Sequence, residues 1–379
     1  MNKSIKILHA ANLVNPSLGI IKQLEWELKV VDELNLCWET FLFCPKDLDI
    51  QKSIILKRSL FNLTLIRNPI YYFYGWINFK IEYYYILWKS SQLVDILLLR
   101  YSVYDPFQVL FAIFFRKKLY FIHHTKEIDE IKLKRGTSGI ISLYVEMLLS
   151  KLTLSFASGI IAVTDEILKY QQKKIKKQTK KIDFFVYPNG ILMDFEILKS
   201  FVKHENINEN INENINILFV ASHFSIWHGL ELLINNVSKS KLKFNLHIIG
   251  DVDKYLLEKI PEDKRIILHG KLNFSEYLSI ACNCHVGLSS FLLEKMNMLF
   301  ACTLKTREYL SLGIPVFSGH YDIFPSNFPF YRKGNLNIED IIDFGNEMRK
   351  YSKIEIFEKS KNYIDKKILV DELYLKLNQ

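Results

Sequence analysis

Short apolar runs of strand length alternate with helix-length segments along this chain, and the alternation occurs twice, on either side of one polar repeat. Strand-like runs fall at residues 5–10, 39–44, 63–67, 96–100, 119–123 and 159–163. A loop at 12–19 follows the first run, and a helix then continues through Leu34. Strands separated by helices lie parallel in one sheet, with the helices covering its faces. The same order restarts at Ile215 and continues to about Ser318. Between the two halves, residues 204–216 carry Glu-Asn-Ile-Asn three times over, a polar tract with little to bury, which reads as a linker. A chain of 379 residues is too long for one small core. The expected class is therefore α/β with two doubly wound domains. No Gly-x-Gly-x-x-Gly follows the first strand, which disfavours a nicotinamide dehydrogenase. Gly19 is the one position in that turn where a backbone can approach a ligand closely.

Residues 303–317 (TLKTREYLSLGIPVF) hold a helix with a start and a stop. Thr303 suits an N-cap, its hydroxyl accepting from an orphan backbone N–H. Gly313 suits a left-handed C′ position, and Pro315 blocks continuation. Lys305 and Glu308 are i, i+3 neighbours on one face. A helix N-terminus with a lysine meets a diphosphate, while a glutamate accepts from ribose hydroxyls. Thr303, Leu304, Lys305, Thr306 and Glu308 are thus candidate contacts to a nucleotide-diphosphate donor.

The formal charge of +9 and a pI near 9.0 call for an anionic partner. Five cysteines at irregular spacing form no disulfide framework, and Cys282-x-Cys284-His285 lacks the second half of a metal site. No metal is expected, no apolar run approaches the roughly 18 residues that span a bilayer, and no signal sequence is seen, so the cytoplasm is the expected compartment.

The 303–317 segment resembles the nucleotide-sugar site of family 4 glycosyltransferases, in the bacterial surface-polysaccharide branch with Leu-Lys-x-Arg-Glu-Tyr. Further landmarks fall in the family's order: 160–166 (IIAVTDE), 187–191 (YPNGI), 218–234 (LFVASHFSIWHGLELLI), 247–251 (HIIGD) and 268–272 (LHGKL). The resemblance implies a GT-B fold, two Rossmann-like doubly wound domains facing across a cleft. Its domains would be an acceptor-side domain at 1–200, a linker at 201–216, a nucleotide-sugar domain at 217–354, and a C-terminal helix at 355–379 packing back on the first domain. It implies a retaining, metal-independent transfer of a sugar to a glycan acceptor, with no cofactor. Ser222 or His223, and His228, stand where the family has its phosphate-binding Arg and Lys, and backbone at Leu272 is a candidate base contact. Phe300 stands where the family has the first Glu of its Glu-x7-Glu element.

Gly250 and Gly270 offer close backbone approach to a nucleotide. His123 and His124 follow a strand at the carboxyl end of the first sheet, where the family often places a polar residue facing the transferred sugar; with Glu308 they are the catalytic candidates. Residues 71–88 are dense in aromatics, 107–118 set an apolar run against basic residues, and 169–181 add seven lysines. Their co-occurrence suggests a peripheral position on the inner face of the cytoplasmic membrane, against anionic lipid, with a lipid-linked acceptor. Competing readings are an inactive GT-B scaffold, a sugar-nucleotide epimerase, and nucleic-acid binding, for which no motif is present.

Overall fold

The computed structural model describes residues 5–47, 55–115, 117–132, 137–175, 181–203 and 214–379. Most of the Glu-Asn-Ile-Asn repeat, Arg116 of the 107–118 segment, and Lys176, Lys177 and Lys180 of the lysine-rich segment lie outside them.

Unit 1, Met1–Pro188 with Lys366–Gln379, is built on seven strands. They are β1 (Ile7–Asn12), β2 (Trp38–Cys44), β3 (Leu56–Arg58), β4 (Ile96–Arg100), β5 (Lys118–His123), β6 (Gly159–Ala162) and β7 (Asp183–Val186). All pair in parallel, in the order β3-β2-β1-β4-β5-β6-β7. β1 is buried at every position, because helices cover both faces of a parallel sheet. Unit 2, Asn189–Asp365, has β8 (Ile215–His223), β9 (Phe244–Asp251), β10 (Ile266–Gly270), β11 (Val286–Leu288), β12 (Val316–Ser318) and β13 (Tyr331–Lys333), also parallel, in the order β10-β9-β8-β11-β12-β13. Both sheets reverse strand order beside their first strand, the doubly wound arrangement expected from the alternation.

Three expectations change. Residues 63–67 are not a strand: the Asp47 carboxylate accepts from the backbone N–H groups of Leu63, Thr64 and Leu65 at 2.8–3.1 Å, and holds them in a turn. The third strand is β3 instead. The units divide at Pro188/Asn189 and Asp365/Lys366 rather than at 201–216 and 354/355. Leu198 of the helix Phe195–Lys203, and Ile356, Phe357 and Ile364 of the helix Lys353–Ile364, belong to the core of unit 2. The last helix, Lys366–Leu377, packs on the first helix of unit 1, Leu18–Glu33. Finally, Gly139–Phe156, within the helix Thr137–Phe156, is long and apolar enough to cross a bilayer by length and composition. Glu146, Lys151 and interspersed Ser and Thr break up the run and hide it from a reading by consecutive apolar residues.

Candidate functional site

In an open parallel sheet, ligands bind outside the carboxyl ends of the strands where strand order reverses. In unit 2 that point lies between β8 and β11. The loop after β8, Ser289 after β11, and the helix Leu304–Ser311 meet there.

Packing on the sheet side fixes this helix. The Tyr309 ring lies over Gly287 of β11, where a Cβ would stand 2.4 Å from the ring, and its hydroxyl accepts the Val220 N–H of β8 at 2.9 Å. Arg307 is fully buried and pairs with both Asp322 oxygens at 2.5 Å. It also donates to the Asn189 carbonyl at 3.1 Å and the Thr303 carbonyl at 3.3 Å, tying the helix start to the first residue of unit 2. The Asp322 charge, added to these bonds, keeps the guanidinium protonated despite its burial. Gly313 has φ 68°, as expected for its C′ position. Thr303 occupies the N-cap position in extended conformation, but its hydroxyl bonds the hydroxyls of Thr306 (2.8 Å) and Ser289 (3.1 Å) rather than a backbone N–H. Thr306 is buried within the same cluster, and its hydroxyl is committed internally. Ser289 reaches on to His320 at 3.3 Å, and His320 to the Tyr331 hydroxyl at 2.9 Å. Sequence reasoning missed Ser289, His320 and Asp322, because nothing local marks residues that meet only through the fold.

Lys305 and Glu308 lie on the other side of the helix, and Leu304 is half-buried beside them. The Lys305 side chain is half-buried as a whole, but its Nζ is buried and has no hydrogen-bond partner. It stands 5.5 Å from the centre of the Phe219 ring. Burial pulls its pKa down to about 7, against the opposing charge of Glu308.

The two histidines sit in different surroundings. His228 is packed among Phe219, Phe224 and Trp227, and its Nδ1 accepts the Ser225 N–H at 2.9 Å. The proton of the neutral ring is therefore on Nε2. Burial first, and the Lys305 charge second, push its pKa down to about 3, so His228 is a neutral donor. His223 is exposed and stands between Asp251 (3.7 Å) and Asp253 (3.6 Å). Its neighbours are carboxylates, an unfavourable setting for binding another anion. Ser222 is exposed at the end of β8, and Leu272, beyond β10, is half-buried against the core. At Gly250, with φ 128°, an added Cβ would lie 1.6 Å from the Ala221 carbonyl oxygen. The glycine serves the close approach of β9 to β8. Gly270 has open space around its missing Cβ. Phe300 stacks on Tyr321 with ring centres 5.1 Å apart.

In unit 1, Gly19 falls in the first turn of the helix Leu18–Glu33 rather than in the preceding loop. His123 ends β5 with no exposed surface. Its Nδ1 bonds Glu127 at 2.6 Å, Tyr101 stacks on its ring at 4.5 Å, and its Nε2 is buried without a partner. The His123 ring is thus enclosed, whereas the neighbouring His124 is half-buried. Burial, with Arg100, His9, Lys366 and His123 nearby, holds His124 well below the ordinary histidine range, as a neutral imidazole.

The chain has the GT-B arrangement of two Rossmann-like units. Among solved structures it is similar to HepE (Alr3699) from Anabaena in complex with UDP, at 13% identity over 98% of this chain and 99% of that one, with a TM-score of 0.63. It is similar to a glycosyltransferase from Rickettsia africae ESF-5, at 15% identity over 98% of each chain and a TM-score of 0.61. A third is an α-glucosyltransferase in complex with UDP-glucose and DNA containing an abasic site, at 13% identity over the full length of both and a TM-score of 0.60. At such identities the likeness is one of fold. No family model and no curated protein matches the chain.

Proposed function

We propose that this chain is a family 4-type glycosyltransferase of the bacterial surface-polysaccharide branch. It transfers a sugar, with retention of configuration, from a nucleotide-diphosphate donor to a lipid-linked glycan acceptor. The observation that carries this reading is the Lys305 ammonium, buried without a hydrogen-bond partner at the strand-order reversal of unit 2. A desolvated, unpaired cation is costly, and a diphosphate is the anion that would complete it at a helix N-terminus. Two of the three similar structures, HepE and the α-glucosyltransferase, were solved with UDP or UDP-glucose bound.

In this reading Lys305, the N-terminus of the helix Leu304–Ser311 and the Nε2–H of His228 stabilise the leaving diphosphate, and Glu308 accepts from the ribose. Positive charge from the protein removes the need for a divalent metal. The leaving phosphate takes the acceptor proton on the face it departs from, so no protein nucleophile is required. His124 stands on the acceptor side, and the enzyme works peripherally on the inner face of the cytoplasmic membrane.

Two observations favour the inactive-scaffold alternative: Phe300 at the position of the family's first Glu, and His223 engaged with Asp251 and Asp253. Incubation with a panel of nucleotide-diphosphate sugars and lipid-linked glycan acceptors separates the readings. A transferred sugar with the anomeric configuration of the donor is expected. Absence of transfer and of hydrolysis across the panel would favour the scaffold.

A further inference from the structure

The helix Thr137–Phe156 is packed inside out. Its buried face carries Glu146, Ser150 and Thr153, with Leu154. Its exposed face carries Ile140, Ile141, Tyr144, Leu148, Leu152 and Phe156, between 40% and 68% exposed, and only 28% of Gly139–Phe156 is buried. Water on that face would oppose this arrangement, since a helix in an aqueous protein turns its apolar stripe to the core. The apolar surface continues onto neighbouring helices. Leu110 and Phe114 are exposed on Pro106–Phe114, which packs beside it. Beyond lies Pro69–Ser91, joined through Trp76–Phe107 and Tyr84–Phe111 ring contacts, with Tyr71, Tyr74, Tyr85 and Trp88 exposed. A surface of this extent on one side of a unit marks a contact with an apolar phase or partner.

We infer that these three helices form a face of unit 1 that lies in the interfacial layer of an anionic phospholipid membrane. The chemistry of the surface selects lipid as the occupant. Tyr and Trp, with apolar rings and polar tips, sit at headgroup level. Lys89, Lys118 and Lys151 are exposed along the same helices and the adjoining strand, and Lys89 lies 4.6 Å over the Tyr85 ring. Lysine is depleted from protein–protein interfaces but suits an anionic headgroup. The helix lies in the layer rather than across it. Glu146 accepts the Tyr101 hydroxyl at 2.6 Å and the Tyr104 N–H at 2.7 Å, so its polar face is bonded to the loop after β4. A spanning helix would have to break both bonds and expose the carboxylate to hydrocarbon.

The test is flotation of the full-length protein, without donor, on vesicles of equal phosphatidylglycerol and phosphatidylethanolamine, beside phosphatidylcholine vesicles. Wild type is expected to float with the anionic vesicles at physiological salt, and more weakly with phosphatidylcholine. The triple variant Ile141→Glu/Tyr144→Glu/Leu148→Glu changes only exposed side chains. It is expected to lose at least tenfold in vesicle partition while keeping the wild-type melting temperature. A Leu148→Trp protein gives a second readout, with a blue-shifted emission expected on vesicles. Equal flotation of wild type and triple variant, or none by wild type, would overturn the inference. So would a concentration-dependent dimer that the triple variant converts to monomer without any vesicle binding, since the face would then belong to a second copy. Extraction only by detergent, with carbonate at high pH leaving the protein in the membrane, would show a spanning helix and overturn it too. The membrane placement in the proposed function rests on this face, but vesicle binding is read without a nucleotide sugar, so failure here removes that placement and leaves the sugar-transfer chemistry standing.

Discussion

Lys305 concentrates the chemistry of the proposed donor site in one side chain. Its pKa near 7 lies below the ordinary lysine value of about 10.4. Between those values the folded chain has given up a proton that the unfolded chain keeps, so this group's penalty on stability shrinks as pH rises through that window. A diphosphate has the opposite effect, because an adjacent anion favours the ammonium and raises its pKa. Binding of UDP near pH 8 is therefore expected to take up about one proton. Affinity should fall as pH climbs from 7 to 9, while Lys305→Ala binds more weakly and with little pH dependence. Titration calorimetry in buffers of different ionisation enthalpy measures this uptake directly. The neutral state of His228 gives a companion expectation: His228→Ala should weaken UDP binding without altering its alkaline profile. Glu308→Gln keeps the shape of the side chain and removes charge-assisted bonds of about 1.5–3 kcal/mol each. At least a tenfold loss of donor affinity or turnover is expected, with the fold intact by circular dichroism.

The helix Leu304–Ser311 shows which part of an element can be read locally. Its limits, its C′ glycine and the shared face of Lys305 and Glu308 follow from i, i+3 spacing and from Gly313 and Pro315, all adjacent in sequence. The Arg307–Asp322 pair does not, because Asp322 arrives from the loop beyond β12. Removing one partner of a buried pair leaves the other uncompensated. Asp322→Asn is accordingly expected to cost about 3–5 kcal/mol in urea unfolding. If the loss exceeds the total stability, a fall in soluble yield restored by the double variant Arg307→Met/Asp322→Leu reports the same coupling. Gly250→Ala should also destabilise, since the new Cβ meets the Ala221 carbonyl at a φ that L residues rarely adopt. Residues 63–67 mislead for the same reason as Arg307. An alternating apolar pattern reads as a strand, but a carboxylate distant in sequence captures the backbone donors first. In Thr137–Phe156, consecutive-run reasoning misses the apolar face because Glu146, Ser150 and Thr153 interrupt it in sequence while lying on the buried side of the helix.

At the scale of the molecule, the repeated strand–helix alternation gives two parallel doubly wound sheets, a consequence of periodicity alone. The unit boundaries were less legible. The helix Phe195–Lys203 precedes the polar repeat yet belongs to the core of unit 2, and only side-chain packing across the sheet decides that. Likewise, the order of strands places a binding point between β8 and β11, and the sequence offers no sign of which strands will be neighbours. The central claim is that unit 2 binds a nucleotide diphosphate through Lys305. Parallel calorimetric titrations of UDP and of uridine into wild type and Lys305→Ala, at pH 7.5, test it most directly. The expected result is saturable UDP binding by wild type, at least tenfold weaker in Lys305→Ala, with uridine affinity the same for both proteins. Absence of UDP binding by folded wild type, or equal losses for UDP and uridine in the variant, would contradict the claim.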